Sequence, residues 1–420
     1  MYYVRSPGMR GRLGIGRRRG SGKGVARTPF ARYSKTAVLR GFGKQHVMPP
    51  VVIDIRSAED SRDVVHRAVQ ALTEGKLVGL PTETVYGLAA SALHEGAIAK
   101  LLATKQRAAG KALTLAIRSA DDALDYIPTL SPLGRRLARR CWPGPVTIVA
   151  EEKHPDSLIH RLTPSVRRAV APNDTIGLRV PAHAMVLDIL RMLVGPVALT
   201  SANPAGQVEP TTAEGVLAAL GDQVELVLND GQSRLGQPST VVKVGKKGFE
   251  ILRTGVVSEQ TLKRLASLMI VVVCTGNTCR SPMAEIMCRK MMADRLGCSL
   301  NELGEHGVMV MSAGISAMMG ARPTPEAVEV MSKQGLPLAD HESQPLTMQL
   351  ARQADIIWTM TRAHRQAIIS QWPEAASRTM VLAQDQSDVA DPIGGPLEYY
   401  QKCAEQIKRL LAERISELEL

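Results

Sequence analysis

Residues 274–281 read Cys-Thr-Gly-Asn-Thr-Cys-Arg-Ser and follow directly on an apolar run, Met-Ile-Val-Val-Val, at 269–273. That order predicts a buried strand, a short loop and a helix start, with Cys274 and Arg280 at the two ends of the loop. A loop of this kind can curl so that successive backbone N–H groups (Thr275, Gly276, Asn277, Thr278, Cys279) point inward around a tetrahedral anion. The helix starting near Ser281-Pro282 aims its positive end at the same place. Pro282 suits a first helical turn, where a missing N–H costs nothing. All of this favours the thiolate form of Cys274. Ser281 can donate a hydrogen bond to that thiolate, and Arg280 can grip two phosphoryl oxygens at once. The chemistry implied is attack of sulfur on phosphorus, a phosphocysteine intermediate and its hydrolysis by water. A proton donor is also needed for the leaving group. Asp391 supplies one, held in the turn Asp-Pro-Ile-Gly-Gly at 391–395.

This second half resembles the low-molecular-weight protein-tyrosine phosphatase family over essentially the whole family domain. The resemblance implies Cys274 as nucleophile, Arg280 as phosphate-binding arginine, Ser281 as thiolate partner, Asn277 as a loop-stabilising residue and Asp391 as general acid, with no cofactor. Ser-Ala-Gly at 312–314 is a further family segment with a structural role. Tyrosine-selective members carry an aliphatic Ile where Thr278 stands here; Thr278 and the Asp-Pro-Ile-Gly-Gly turn are similar to the bacterial protein-arginine phosphatases. A small polar wall fits a planar guanidinium, so phosphoarginine is preferred to phosphotyrosine as the substrate side chain. Arsenate reduction on the same fold needs two further relay cysteines; Cys288 and Cys298 come too early in the helix, and only Cys403 follows. Cys279 is either a small buried residue behind the loop or a reversible disulfide partner that protects Cys274 from over-oxidation.

The first half spreads its polar chemistry over several short segments: Pro-Thr-Glu-Thr-Val-Tyr-Gly (81–87), Lys-Gln-Arg (105–107), Trp-Pro-Gly-Pro (142–145), Gly-Leu-Arg-Val-Pro (177–181), Leu-Thr-Ser-Ala-Asn-Pro (199–204) and Pro-Ser-Thr-Val-Val (238–242). Together, cations that neutralise phosphate or carboxylate and hydroxyls and amides that orient them describe a polyanion pocket. In order and spacing the combination resembles the YrdC/Sua family of threonylcarbamoyl-adenylate synthases. The resemblance implies condensation of L-threonine, bicarbonate and ATP, with Mg²⁺ on the phosphates, to threonylcarbamoyl-AMP and pyrophosphate. It also implies downstream tRNA-modification proteins as partners, with tRNA contact an open question. By the same resemblance Thr82 and Thr84 lie in the threonine pocket and Lys105 and Arg107 meet phosphates and the substrate carboxylate. Arg179, Ser201 and Asn203 add nucleotide and substrate contacts, and Ser239 and Thr240 lie in the closing segment. Prolines usual after Lys-x-Arg in the family are replaced by Ala108 and Ala112. The competing reading is an RNA-binding module without catalysis.

The elements that must position these residues follow from the pattern of apolar runs. Helical periodicity over 57–75 is followed by strands near 76–82, 114–117, 146–150, 196–201, 225–230 and 239–244. This predicts a twisted open-sheet α/β domain over 49–257. Ser258 reads as the N-cap of a connector helix within 258–268. Strands and helices then alternate over 269–420 as a parallel, doubly wound α/β domain ending in a helix from about Leu397. No Gly/Ser-rich linker intervenes, so the two halves are expected to abut.

Charge sorts the chain further. Its 52 Lys and Arg exceed its 40 Asp and Glu by 12, but residues 1–48 hold twelve basic and no acidic side chains. The remainder is therefore neutral, which argues against a strong RNA-binding face. The Gly- and Arg-rich tail is expected to be disordered, with three readings open: an arm for RNA phosphates, an organellar presequence, or no role with Met48 as the natural start. Six cysteines without a CxxC pair read as thiols of a reducing cytoplasm, and no apolar run is long enough to cross a membrane.

Overall fold

A computed structural model describes residues 49–106, 111–246 and 248–418; the basic tail, Arg107 and Ala108 lie outside the described residues. The first sheet is built from β1 (Val51–Asp54), β2 (Val78–Leu80), β3 (Gly87–Ser91), β4 (Thr114–Ala116), β5 (Val146–Glu151), β6 (Thr175–Arg179), β7 (Val197–Ser201), β8 (Leu226–Asn229), β9 (Thr240–Val244) and β10 (Phe249–Arg253). Their spatial order is β1-β8-β2-β3-β7-β4-β6-β5-β9-β10, with parallel and antiparallel pairs mixed. Both faces of this sheet are covered. On β2, Val78 and Leu80 face one apolar cluster, while Leu88 and Ala90 of β3 face the other.

The second sheet contains β11 (Leu268–Cys274), β12 (Val308–Gly314), β13 (Ile356–Thr359) and β14 (Thr379–Val381), all parallel in the order β12-β11-β13-β14. The unbroken apolar run of β11 is explained by burial on both sides. Ile270 and Val272 pack into one cluster, and Met269, Val271 and Val273 into the other. Every strand expected from the pattern of apolar runs has a counterpart. The four it passed over have identifiable reasons: β1 and β10 are half-exposed edges, β3 is Gly-Leu-Ala-Ala-Ser with little β-branching, and β6 is interrupted by Gly177.

Between the sheets runs the helix Glu259–Ala266, and Ser258 Oγ caps it by accepting from Thr261 N at 3.2 Å. It packs against the helix Pro132–Cys141. That helix presents Arg136, Arg139 and Arg140 to one carboxylate, Asp355, just before β13. Arg136 and Arg140 pair with Asp355 Oδ2 at 3.0 and 2.7 Å, and Arg139 pairs with Oδ1. Arg140 also donates to the carbonyls of Leu265 and Ser267 at 2.7 Å and of Gln353 at 2.7 and 2.9 Å. Asp355 Oδ2 further accepts Met269 N at 2.8 Å, so one carboxylate ties β11 and β13 to the first sheet's helix. The donors of Arg140 are thus met by carbonyls as well as by Asp355, which makes this partly buried cluster a geometric latch.

Candidate active sites

The loop after β11 is shaped by one residue with a left-handed backbone, Asn277 (φ 56°), a conformation that Asn tolerates better than most residues. Its N–H reaches Cys274 Sγ at 3.3 Å. Its side-chain amide donates to Ser281 Oγ at 3.0 Å and Ser312 Oγ at 2.8 Å, and its Oδ1 accepts Gln344 N at 2.9 Å. Ser281 Oγ lies 3.0 Å from Cys274 Sγ. The loop is therefore locked from behind by a buried polar chain that continues from Ser312 Oγ to Glu285 Oε2 at 2.6 Å.

Arg280 opens the helix Arg280–Leu296, is almost wholly buried, and pairs through Nη2 with Asp391 Oδ2 while Nη1 donates to Val389 O at 3.3 Å. The Asp391 side chain stays 43 % exposed, open to solvent at the mouth. Thr278 is half-buried beside Cys279, and burial pushes the Cys279 thiol up, away from reactivity. Cys274, Thr275, Gly276, Asn277, Thr278, Cys279, Arg280, Ser281 and Asp391 are thus all at one place.

Gly314, at the end of β12, fits this loop closely. A Cβ there would stand 2.4 Å from Thr275 O and 3.0 Å from Asn277 N, so the loop backbone would have to move. Gly314→Ala is expected to lower kcat/KM for a small phosphomonoester by about 100-fold, the scale of a misplaced reacting group. Steady-state kinetics with circular dichroism on the same sample checks that activity, and not folding, is lost.

In the first half the polar residues form three neighbouring clusters. In one, Arg179 at the end of β6 donates through Nη2 to Glu83 Oε1 at 2.8 Å and Thr84 Oγ1 at 2.9 Å, and through Nε to Gly144 O at 3.3 Å. Thr82 Oγ1 lies 2.8 Å from Thr84 Oγ1, and Glu83 Oε2 accepts Ala182 N at 2.9 Å. In the second, Lys105, which ends the helix Glu95–Lys105, sends Nζ to Ser201 O at 2.7 Å, Ser201 Oγ at 3.3 Å and Asn203 Oδ1 at 3.0 Å, and also to Asn203 O. In the third, Ser239 Oγ lies 3.2 Å from Thr147 Oγ1 and accepts Arg253 Nη2 at 3.0 Å. Thr240 is fully buried, and its hydroxyl bonds both the N–H and the carbonyl of Val257 at 2.9 Å.

Backbone pairing brings the clusters together: Ala202 N bonds Tyr86 O at 3.0 Å beside the first and second, and Thr240 N bonds Pro145 O at 3.0 Å between the first and third. Two residues that sequence reasoning passed over belong here. Glu83 carries the carboxylate that orients Arg179, and Arg253 holds Ser239. Burial pushes the Arg253 guanidinium below its ordinary pKa, with Arg179 contributing in the same direction. Among the described residues, no group of three or more His, Cys, Asp or Glu converges in the manner of a metal cage, and no helix is long and apolar enough to cross a membrane.

Comparison with known proteins finds one family in each half of the chain. A family model described as Telomere recombination (Sua5_yciO_yrdC) matches residues 70–255, and one described as Low molecular weight phosphotyrosine protein phosphatase matches 269–419. A threonylcarbamoyl-AMP synthase of Pyrococcus abyssi is 32% identical over 206 residues, 49% of this chain and 57% of that relative, so the chain spans little more than half its length. A protein-arginine-phosphatase of Bacillus subtilis is 37% identical over 153 residues, 36% of this chain and 95% of the relative. A putative threonylcarbamoyl-AMP synthase of Mycobacterium tuberculosis is 32% identical over 203 residues, 48% of this chain and 88% of the relative.

Proposed function

We propose a bifunctional enzyme, on the premise that the chain belongs to two families at once: its first half to the threonylcarbamoyl-AMP synthases, its second to the low-molecular-weight protein phosphatases. In this reading residues 49–257 are the synthase unit, 258–268 a connector and 269–420 the phosphatase unit.

For the phosphatase the carrying observation is the contact of Cys274 Sγ with both Ser281 Oγ and the Asn277 N–H. Two donors at the sulfur stabilise a thiolate positioned at the strand end. That thiolate attacks phosphorus as the P–X bond breaks, and Asp391 gives its proton to the departing atom. Water, activated by the resulting carboxylate, then attacks the phosphocysteine and releases phosphate. An incoming phosphoryl group competes with Asp391 for Arg280, so binding substrate frees the acid for its task.

The favoured substrate side chain is phosphoarginine. Thr278 leaves a polar wall, and the Asp391 carboxylate can accept from a guanidinium. The Bacillus relative named a protein-arginine-phosphatase supports this choice. Thr278→Ile is expected to shift the ratio of kcat/KM for phosphoarginine over phosphotyrosine peptides by about tenfold toward phosphotyrosine. Measured side by side, an unchanged ratio removes the wall argument, and a wild-type preference for phosphotyrosine makes the enzyme a tyrosine phosphatase.

For the synthase the carrying observation is the Glu83–Arg179–Thr84 cluster beside Lys105, Ser201 and Asn203. It offers fixed cations and hydroxyls to L-threonine and ATP. Threonine and bicarbonate give a carbamate with loss of water; the carbamate oxygen attacks the α-phosphate of ATP, and pyrophosphate leaves. The protein contributes positioning and charge neutralisation, with no covalent nucleophile. Mg²⁺ entering with ATP would supply further neutralisation of phosphate charge beside Lys105 and Arg179. The product adenylate serves tRNA-modification proteins in the cytoplasm. Pyrophosphate release that requires both threonine and bicarbonate tests this reading; release from ATP alone, or none, defeats it.

A further inference from the structure

His364 lies on the first turn of the helix Arg362–Gln371, where Thr361 Oγ1 caps its N–H at 3.1 Å. The ring is only 5% exposed, and its Nε2 is 2.9 Å from Thr275 Oγ1. Thr275 is the exposed residue directly after Cys274, the first of the phosphate loop. Its carbonyl accepts Ser316 N at 3.0 Å. The loop is thus held at its first residue from two sides, by Ser316 on the main chain and by His364 on the side chain.

The ring's other nitrogen, Nδ1, is buried and has no hydrogen-bond partner among the described residues. Burial first, then Arg280, pushes the imidazole down to about 4, against the opposite pull of Asp391 and Asp388. The ring is therefore neutral under ordinary conditions, with one N–H to place. A buried N–H without an acceptor is rarer and costlier than an under-used acceptor. That favours the proton on Nε2, donated to Thr275 Oγ1, with the bare nitrogen facing the interior. The hydroxyl proton of Thr275 is then free for an acceptor at the mouth.

We propose that His364 is a positioning residue for phosphoryl transfer, which acts through Thr275 to fix the start of the phosphate loop and leave the Thr275 hydroxyl as a donor toward the incoming phosphoryl group. The inference rests on the phosphatase reading of Cys274. It assigns Thr275 a task that a bare loop residue would not have, and explains why a polar ring is buried beside the site.

The test uses the full chain with a small phosphomonoester and a phosphoarginine peptide. His364→Phe keeps an aromatic of similar size and removes the donor; kcat is expected to fall about tenfold with KM little changed, the scale of one hydrogen bond. His364→Gln places an amide donor near the position of Nε2 and is expected to restore most of that loss. Thr275→Val should cost about as much as His364→Phe, and the double variant no more than either alone. Full additivity, failure of Gln to rescue, or unaltered kcat in His364→Phe overturns the proposal while leaving Cys274 chemistry intact. A wild-type chain inactive on both phosphoesters and phosphoarginine overturns both.

Discussion

Cys274→Ser is expected to abolish phosphatase turnover, with kcat lowered by at least about 10⁴-fold, or on the order of 5 kcal/mol of transition-state stabilisation. The reason lies in what surrounds the sulfur. Ser281 Oγ and Asn277 N are placed to stabilise a thiolate, whereas a serine hydroxyl in their midst keeps its proton and attacks phosphorus poorly. The fold should survive, because the side chains differ by one atom and the loop is locked through Asn277, Ser312 and Gln344. Inorganic phosphate binding measured by calorimetry should therefore persist in the variant. Turnover near the wild-type rate would exclude sulfur as the nucleophile. Pyrophosphate release by the same sample should be unaffected, which separates the two activities within one chain.

Arg179→Ala should produce the largest effect in the first half, on stability and activity together. The Arg179 and Glu83 side chains are 8% and 2% exposed. Removing the guanidinium leaves a buried carboxylate with Ala182 N as its remaining donor among the described residues. Breaking one partner out of such a pair costs about 3–5 kcal/mol. Threonine-dependent pyrophosphate release should fall by at least about 100-fold, as expected when a fixed cation facing developing charge is lost. Differential scanning calorimetry and a pyrophosphate assay on the same preparation check both. Glu83→Gln separates the effects: it keeps a hydrogen-bonding side chain of the same length, so it should retain more stability than Arg179→Ala while still loosening the arginine. If Arg179→Ala keeps full synthase turnover, the first cluster is structural only.

How much was legible in the sequence depended on how locally each site is encoded. The phosphate loop lies within eight consecutive residues between a strand and a helix, so Cys274, Arg280 and Ser281 could be placed from their order alone. Asp391 is distant but follows the last strand of a parallel sheet, whose strand ends share one edge. The pocket proposed for the synthase draws on loops and strand ends scattered from 82 to 253, and only the combination was readable.

Within that combination Glu83 carries no direct signal as a pocket residue, because a carboxylate repels the anions such a pocket holds. The usable signal was that an acid between two buried threonines must find a cation. Arg253 gave no such signal, since one arginine on an edge strand reads as solvated. Gly314 was visible as part of a Ser-Ala-Gly segment, but the reason for glycine is the 2.4 Å approach to Thr275 O, which no spacing encodes. The mixed order of the first sheet was equally hidden, because several of its neighbours are far apart in the chain.

The arginine cluster on Asp355 sets the join at the end of β11 opposite the phosphate loop. Asp355 and Met269 stand at the amino-terminal ends of β13 and β11, and Cys274 is five residues further along β11, roughly 17 Å at strand rise. A phosphoprotein can thus approach the loop from the end of the sheet opposite the join. Arg140, by contrast, is four residues from Gly144, whose carbonyl holds Arg179. The join thus lies four residues from the first polar cluster and five from the phosphate loop, at the opposite end of the strand that carries the loop. The covalent linkage fixes the two units at one copy each.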